Sequence, residues 1–82
     1  MQSVARADKG KKVRVAFGSR LRELRHRAGF SQEALALQCG LDRSYVGQVE
    51  RGERNLSLEN IHKLATSLGV EPYELFRPIG SS

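Results

Sequence analysis

Only three residues, Gly40, Leu41 and Asp42, separate two segments with helical patterning, Gln32 to Cys39 and Arg43 to Arg51. So short a connection forces the two helices to cross steeply, which is the geometry of a helix-turn-helix. Steep crossing makes demands on residue type. A large side chain at the point of approach would push the helices apart, and Ala36 supplies only a methyl group. The turn needs a positive backbone angle, which Gly40 adopts without steric penalty. Leu35, Leu41, Val46 and Val49 are apolar where the pair must seal against its neighbours. Each feature is a weak signal alone, but their agreement within about twenty residues is a strong one. The competing reading is an ordinary helical hairpin in a bundle.

The flanking segments supply those neighbours. Val13, Phe17, Leu21, Leu24 and Ala28 recur at helical steps and form one apolar face, with Arg20, Arg22, Arg25 and Arg27 on the remaining faces. Gly29 ends this first helix as a left-handed cap. Ser31 caps the second helix, which Gly40 stops, and Asp42 caps the third, which Gly52 closes. Ser57 caps a fourth, with Leu58, Ile61, Leu64, Ala65 and Leu68 as its apolar stripe and Gly69 at its end. Pro72 suits the first turn of a last short helix, Pro72 to Phe76. The expected fold is all-α, a compact five-helix bundle without a strand. The expected organisation is a basic tail over residues 1–12, the helix-turn-helix domain over 13–78, and a frayed end over 79–82.

Eighty-two residues suffice for one domain, with no room for a separate catalytic or effector unit. Hydrophobic residues at 39% and charged residues at 28% fit a soluble globular chain. No apolar run approaches the ~18 residues of a bilayer span, and no signal-peptide pattern opens the chain. The expected location is the cytoplasm, on the nucleoid when bound to DNA. Cys39 is the only cysteine, which agrees with a reducing compartment, and it reads as a packing residue beside the turn. His26 and His62 read as surface residues without zinc-ligand spacing. No nucleophile, base or metal set converges, so no enzyme, cofactor, metal or small-molecule ligand is expected.

Charge points elsewhere. The net charge is +5, yet residues 1–30 carry +7 and residues 31–82 carry −2. A basic half suits a polyanionic partner, nucleic acid first. Residues 1–12, with Arg6, Lys9, Lys11 and Lys12, read as a solvated tail; the alternative is an arm laid along DNA.

The stretches Ser31-Gln-Glu-Ala-Leu-Ala, Gly40-Leu-Asp-Arg-Ser-Tyr and Glu50-Arg-Gly-Glu-Arg-Asn-Leu-Ser resemble the phage-repressor-type (Cro/C1, XRE) helix-turn-helix family, whose fold is lambda-repressor-like. Compact size and the runs Leu41-Asp-Arg-Ser-Tyr and Arg51-Gly-Glu-Arg-Asn look most like controller proteins of restriction–modification systems. The resemblance covers about residues 13–76. It implies that the third helix enters the major groove of double-stranded DNA, with Arg43, Ser44 and Gln48 on the base-contacting positions. Residue chemistry agrees. Positions 44 and 48 lie one turn apart, the arginine fork can bond guanine O6 and N7 together, and glutamine suits adenine in the same way.

The resemblance further implies that Gln32 bonds a phosphate oxygen and that the loop with Arg54 and Asn55 lies on the backbone. Arg54 suits phosphate better than a base, because most protein–DNA bonds go to phosphate and sugar. Tyr45 has two open roles: its ring as core, or its hydroxyl on phosphate or the central base pairs. Glu50, by the same resemblance, pairs with Arg25 as a structural ion pair.

Tyr73, Leu75, Phe76 and Ile79 give the end of the chain more apolar surface than a small domain needs. The expectation is an isologous dimer interface of Tyr73, Phe76 and Ile79, with Leu75 turned inward. Together these readings describe a homodimeric, sequence-specific transcription regulator on a palindromic operator. The resemblance implies control of a restriction–modification operon, with RNA polymerase a candidate further partner. The alternatives are a phage or plasmid repressor, an antitoxin, or a protein-bridging cofactor that binds DNA weakly.

Overall fold

The computed structural model describes residues 8–82, and the first seven residues of the expected basic tail, with Arg6, lie outside them. Four α-helices follow in order, α1 (Lys11–Ala28), α2 (Gln32–Gln38), α3 (Tyr45–Glu50) and α4 (Leu58–Leu68), before a closing 3-10 helix, Pro72–Phe76. The all-helical bundle is as expected, though its fifth member has the tighter 3-10 winding.

Local chemistry explains most of the boundaries. Ser31 Oγ accepts the Ala34 N–H at 3.0 Å, and Ser57 Oγ accepts the Asn60 N–H at 3.1 Å, so α2 and α4 each begin with a satisfied amide. Gly29 and Gly69 close α1 and α4 in the left-handed region, at φ 81° and 73°. The start of α1 comes at Lys11, so Lys11 and Lys12 are helical rather than part of a tail.

The entry to α3 differs from expectation. The helix starts at Tyr45, and Arg43 and Ser44 form a turn ahead of it. Asp42 Oδ1 accepts both the Ser44 N–H at 2.9 Å and the Ser44 hydroxyl at 2.6 Å, while the Tyr45 N–H returns to the Asp42 carbonyl at 2.9 Å. Such side-chain bonding two residues ahead competes with α-helical pairing, and a 3-10-like first turn is the result. The Ser44 hydroxyl, and then the Ser44 N–H, hold the Asp42 carboxyl below the usual aspartate range. A lowered folded value means that the stabilisation is complete above about pH 4 and is lost as pH falls further. An NMR titration of Asp42 should therefore show a midpoint below about 3.9, and Ser44→Ala should raise it towards that value. A midpoint unmoved by Ser44→Ala would rule out the hydroxyl as the main cause.

The core gathers Phe17, Leu21 and Leu24 from α1, Leu35 and Ala36 from α2, Tyr45, Val46 and Val49 from α3, Leu64, Ala65 and Leu68 from α4, and Leu75. Several residues depart from the expected pattern. Val13 and Ala28 lie on the expected apolar face of α1 yet are exposed, because the helix outruns the elements packed against it. Leu58 is 83% exposed at the first turn of α4. Arg20, expected off the apolar face of α1, is buried. Its guanidinium donates to the Glu74 carbonyl at 2.8 Å, to Glu74 Oε1 at 2.9 Å and to Glu23 Oε1 at 2.8 Å.

The end of the chain is pinned instead of fraying. The Gly80 N–H meets both Glu23 oxygens, at 3.0 and 2.9 Å, and the Ser81 carbonyl accepts from Arg27 at 3.0 Å. The Gly80 N–H and then the Arg20 guanidinium hold the Glu23 carboxyl below its ordinary value. Among the described residues no helix is long and apolar enough to cross a membrane.

Candidate nucleic-acid interface

Three devices position α3. The first is close approach. Gly18 sits mid-helix in α1, and a Cβ there would lie 2.4 Å from the Val49 carbonyl oxygen and 2.7 Å from that of Glu50. The second is ionic. Arg25 Nε meets Glu50 Oε2 at 2.6 Å and Nη2 meets Oε1 at 3.1 Å, with side chains only 8% and 4% exposed. Arg25 Nη1 also donates to the Phe30 carbonyl at 2.9 Å, so each guanidinium nitrogen has a partner. The ion pair suggested by the resemblance is present, and it joins α1 to α3. The third device is the loop after α3, where the Gly52 carbonyl accepts Arg14 Nε at 2.9 Å. Gly52 has φ 77°, and a Cβ on it would meet Val15 at 2.8 Å, so both its angle and its space favour glycine.

The turn ahead of α3 is held as the sequence suggested. Gly40 has φ 71° with open space around it, so the demand there is conformational alone. Ala36 is fully buried in α2, and the Leu41 N–H returns to the Ala36 carbonyl at 2.8 Å. Cys39 is half-buried against the core with its Sγ 3.3 Å from Ser67 Oγ. His26 and His62 are exposed. Among the described residues no three His, Cys, Asp or Glu side chains gather where they could hold a metal ion.

Arg43 stands outward at the entry to α3, 71% exposed, with Nη2 3.0 Å from Glu33 Oε2 on α2. An exposed pair of this kind is worth at most about 1 kcal/mol and yields readily to a stronger anion or acceptor. Ser44 is exposed, although its hydroxyl proton is directed to Asp42. Gln48 is half-buried one turn further on, and its Oε1 accepts Arg54 Nη1 at 2.8 Å. Arg54 in turn lies over the Tyr45 ring, 4.7 Å from its centroid. Arg54 and Asn55 are both exposed.

Two residues are placed differently from the backbone-contact expectation. Tyr45 is buried, and its hydroxyl accepts Asn60 Nδ2 at 3.0 Å. Of its two open roles the structure takes the packing one, because the ring fills core volume and the polar tip already has a partner inside the protein. Gln32 is exposed, and its Nε2 donates to Glu50 Oε1 at 2.9 Å, so its amide extends the ion pair to α2. The reason is acceptor capacity, since a buried carboxylate has more lone pairs than one guanidinium can fill.

Sequence reasoning missed Gly18, Arg14 and Asn60. Gly18 did carry a signal, because a mid-helix glycine costs about 1 kcal/mol and usually has a packing reason. Arg14 and Asn60 carried none, since their partners lie far along the chain.

Near the end of the chain, Leu75 is fully buried, while Tyr73, Phe76 and Ile79 are 62%, 59% and 64% exposed. The Phe76 ring stands edge-on to Phe17, with centroids 5.2 Å apart. An apolar groove beside it is lined by Val13, Ala16, Phe17, Phe76 and Ile79.

Residues 21–75, from within α1 to within the closing 3-10 helix, match the model of the HTH_3 helix-turn-helix family. The chain belongs to the HTH_3 family. Among its relatives is the control protein C.BamHI of Bacillus amyloliquefaciens, 44% identical, the match covering 84% of this chain and 89% of that protein. Among solved HTH_3-like structures, the restriction–modification controller protein C.AhdI from Aeromonas hydrophila superposes with a TM-score of 0.77 at 66% identity, covering 79% of this chain and 98% of that one. The P22 c2 repressor, solved in complex with a synthetic operator, superposes with a TM-score of 0.68 at 30% identity, covering 74% of this chain and 92% of that one.

Proposed function

We propose that this HTH_3 protein is a sequence-specific DNA-binding transcription regulator that controls a restriction–modification operon from a palindromic operator, as a homodimer. The observation that carries the reading is Arg43, 71% exposed and held only by a surface ion pair with Glu33, at the entry to a helix locked from behind by the Arg25–Glu50 pair. A rigid helix with an exposed arginine at its start is what base readout in the major groove requires. Arg43, Ser44 and Gln48 are the base contacts in this reading, and Arg54 and Asn55 lie on phosphates. The names of C.BamHI and C.AhdI support the controller role, and the operator complex of the P22 c2 repressor supports DNA as the partner. Tyr73, Phe76 and Ile79 supply the dimer contact. RNA polymerase is the further partner where regulation is by activation, the cytoplasm is the place of action, and no catalytic step is assigned.

Selection from random duplexes at a stated salt concentration tests the reading. The expected result is an inverted repeat whose half-sites sit about 34 Å apart, one turn of DNA. Failure to enrich any sequence would end it. Sedimentation at micromolar concentration should give twice the chain mass, and a monomer alone would remove the dimer. Arg43→Ala should weaken the cognate site by about 1–3 kcal/mol and relax the preference at one base pair. Equal losses on cognate and random DNA would show that Arg43 reads no base.

A further inference from the structure

Gln48, Arg54, Tyr45 and Asn60 form one line of contacts that sets the direction of a base-reading amide. Asn60 Nδ2 holds the Tyr45 hydroxyl at 3.0 Å, and the buried Tyr45 ring lies under the Arg54 guanidinium at 4.7 Å. Arg54 Nη1 then donates to Gln48 Oε1 at 2.8 Å. Guanidinium carries donors and no acceptor, so the amide atom facing it has to be the oxygen. Turning the amide round would set NH2 against N–H and lose a hydrogen bond assisted by charge. The NH2 group is therefore the part of Gln48 left to meet a base.

We propose that Arg54 is a positioning residue that keeps the Gln48 amide donor-outward, so that Gln48 selects guanine or thymine over adenine. The inference rests on the reading of Gln48 as a base contact. Adenine pairs with a glutamine that offers both its oxygen, to N6, and its NH2, to N7. With its oxygen turned to Arg54, Gln48 can still give its NH2 to adenine N7, but it sets no acceptor opposite N6 and meets that amino group donor against donor. Guanine presents two acceptors, N7 and O6, and thymine presents O4, so both suit a donor-only tip. The sequence-based expectation that Gln48 reads adenine is thereby revised by its neighbour. Arg54 keeps Nε and Nη2 for a phosphate, so positioning and backbone contact can coexist on one side chain.

The test is random-duplex selection with the full chain in four forms: wild type, Gln48→Ala, Arg54→Leu and Arg54→Lys. Thermal melts confirm that each is folded. The base pair whose preference vanishes in Gln48→Ala is the one Gln48 reads. Wild type should hold guanine or thymine there. Arg54→Leu should raise adenine at that position by about tenfold, with preferences elsewhere retained, and Arg54→Lys, which keeps a donor, should restore the wild-type choice. Adenine at that position in wild type would overturn the proposal. So would an Arg54→Leu profile of unchanged shape with only weaker binding and a salt slope lower by about one, the mark of a phosphate contact alone. If Gln48→Ala changes no position while the rest of the operator is still selected, Gln48 is not a base contact; the positioning role falls and the regulator stands.

Discussion

Glu50→Ala should destabilise the domain by about 3–5 kcal/mol, because it strands the Arg25 charge in a buried site. Both side chains are almost completely covered, and the pair is bidentate at 2.6 and 3.1 Å. Removing the carboxylate leaves two guanidinium N–H groups without acceptors and takes from Gln32 Nε2 its acceptor. Domains are stable by only about 5–15 kcal/mol, so a loss of this size removes a large share of the margin. Urea unfolding followed by far-UV circular dichroism measures it. The double variant Arg25→Met, Glu50→Met should regain most of the loss, since what costs is the unpaired charge and the intact pair adds little net energy. A Glu50→Ala loss below about 1 kcal/mol would mean that the pair behaves like an exposed one.

Gly18→Ala is the second large effect, and here two principles oppose each other. Helix propensity alone favours alanine in α1 by about 1 kcal/mol. The new methyl, however, would stand 2.4 Å from the Val49 carbonyl oxygen and 2.7 Å from that of Glu50. These are backbone atoms at the end of α3 and cannot rotate aside as a side chain would. The helices have to separate, and overpacking of this kind costs about 1–3 kcal/mol, enough to outweigh the propensity gain. Separation also moves α3 relative to the loop tied to Arg14, so the proposed contacts on base and phosphate would no longer fit together. Gly18→Ala should therefore melt lower and bind the selected operator more weakly. A variant that melts higher would show slack between α1 and α3.

Elements governed by neighbours in sequence were legible. The Ser31 and Ser57 caps, the closing glycines at 29 and 69, and the positive angle at Gly40 all depend on groups within a few residues. The Pro72–Phe76 turn was placed correctly, although its 3-10 winding was not evident. The ion pair of Arg25 with Glu50 spans 25 residues and came from family resemblance, since nothing local marks Arg25 out from Arg20, Arg22 or Arg27. The outward position of Arg43 follows from its place beside the turn.

The chain's pattern of apolar spacing, caps and glycines determined by itself that it forms short helices around a tight bend, because those choices are settled by bonds that close within one helical turn. Only the tertiary structure decided which charged groups go inside and which way a polar tip faces. Arg20 is buried because Glu74, 54 residues away, comes to meet it. Tyr45 packs inward, where Asn60 Nδ2 donates to its hydroxyl, and Gln48 turns its oxygen towards Arg54, which donates to it. A polar side chain takes the direction of whichever partner reaches it, and partners far along the chain are brought near only when the helices pack.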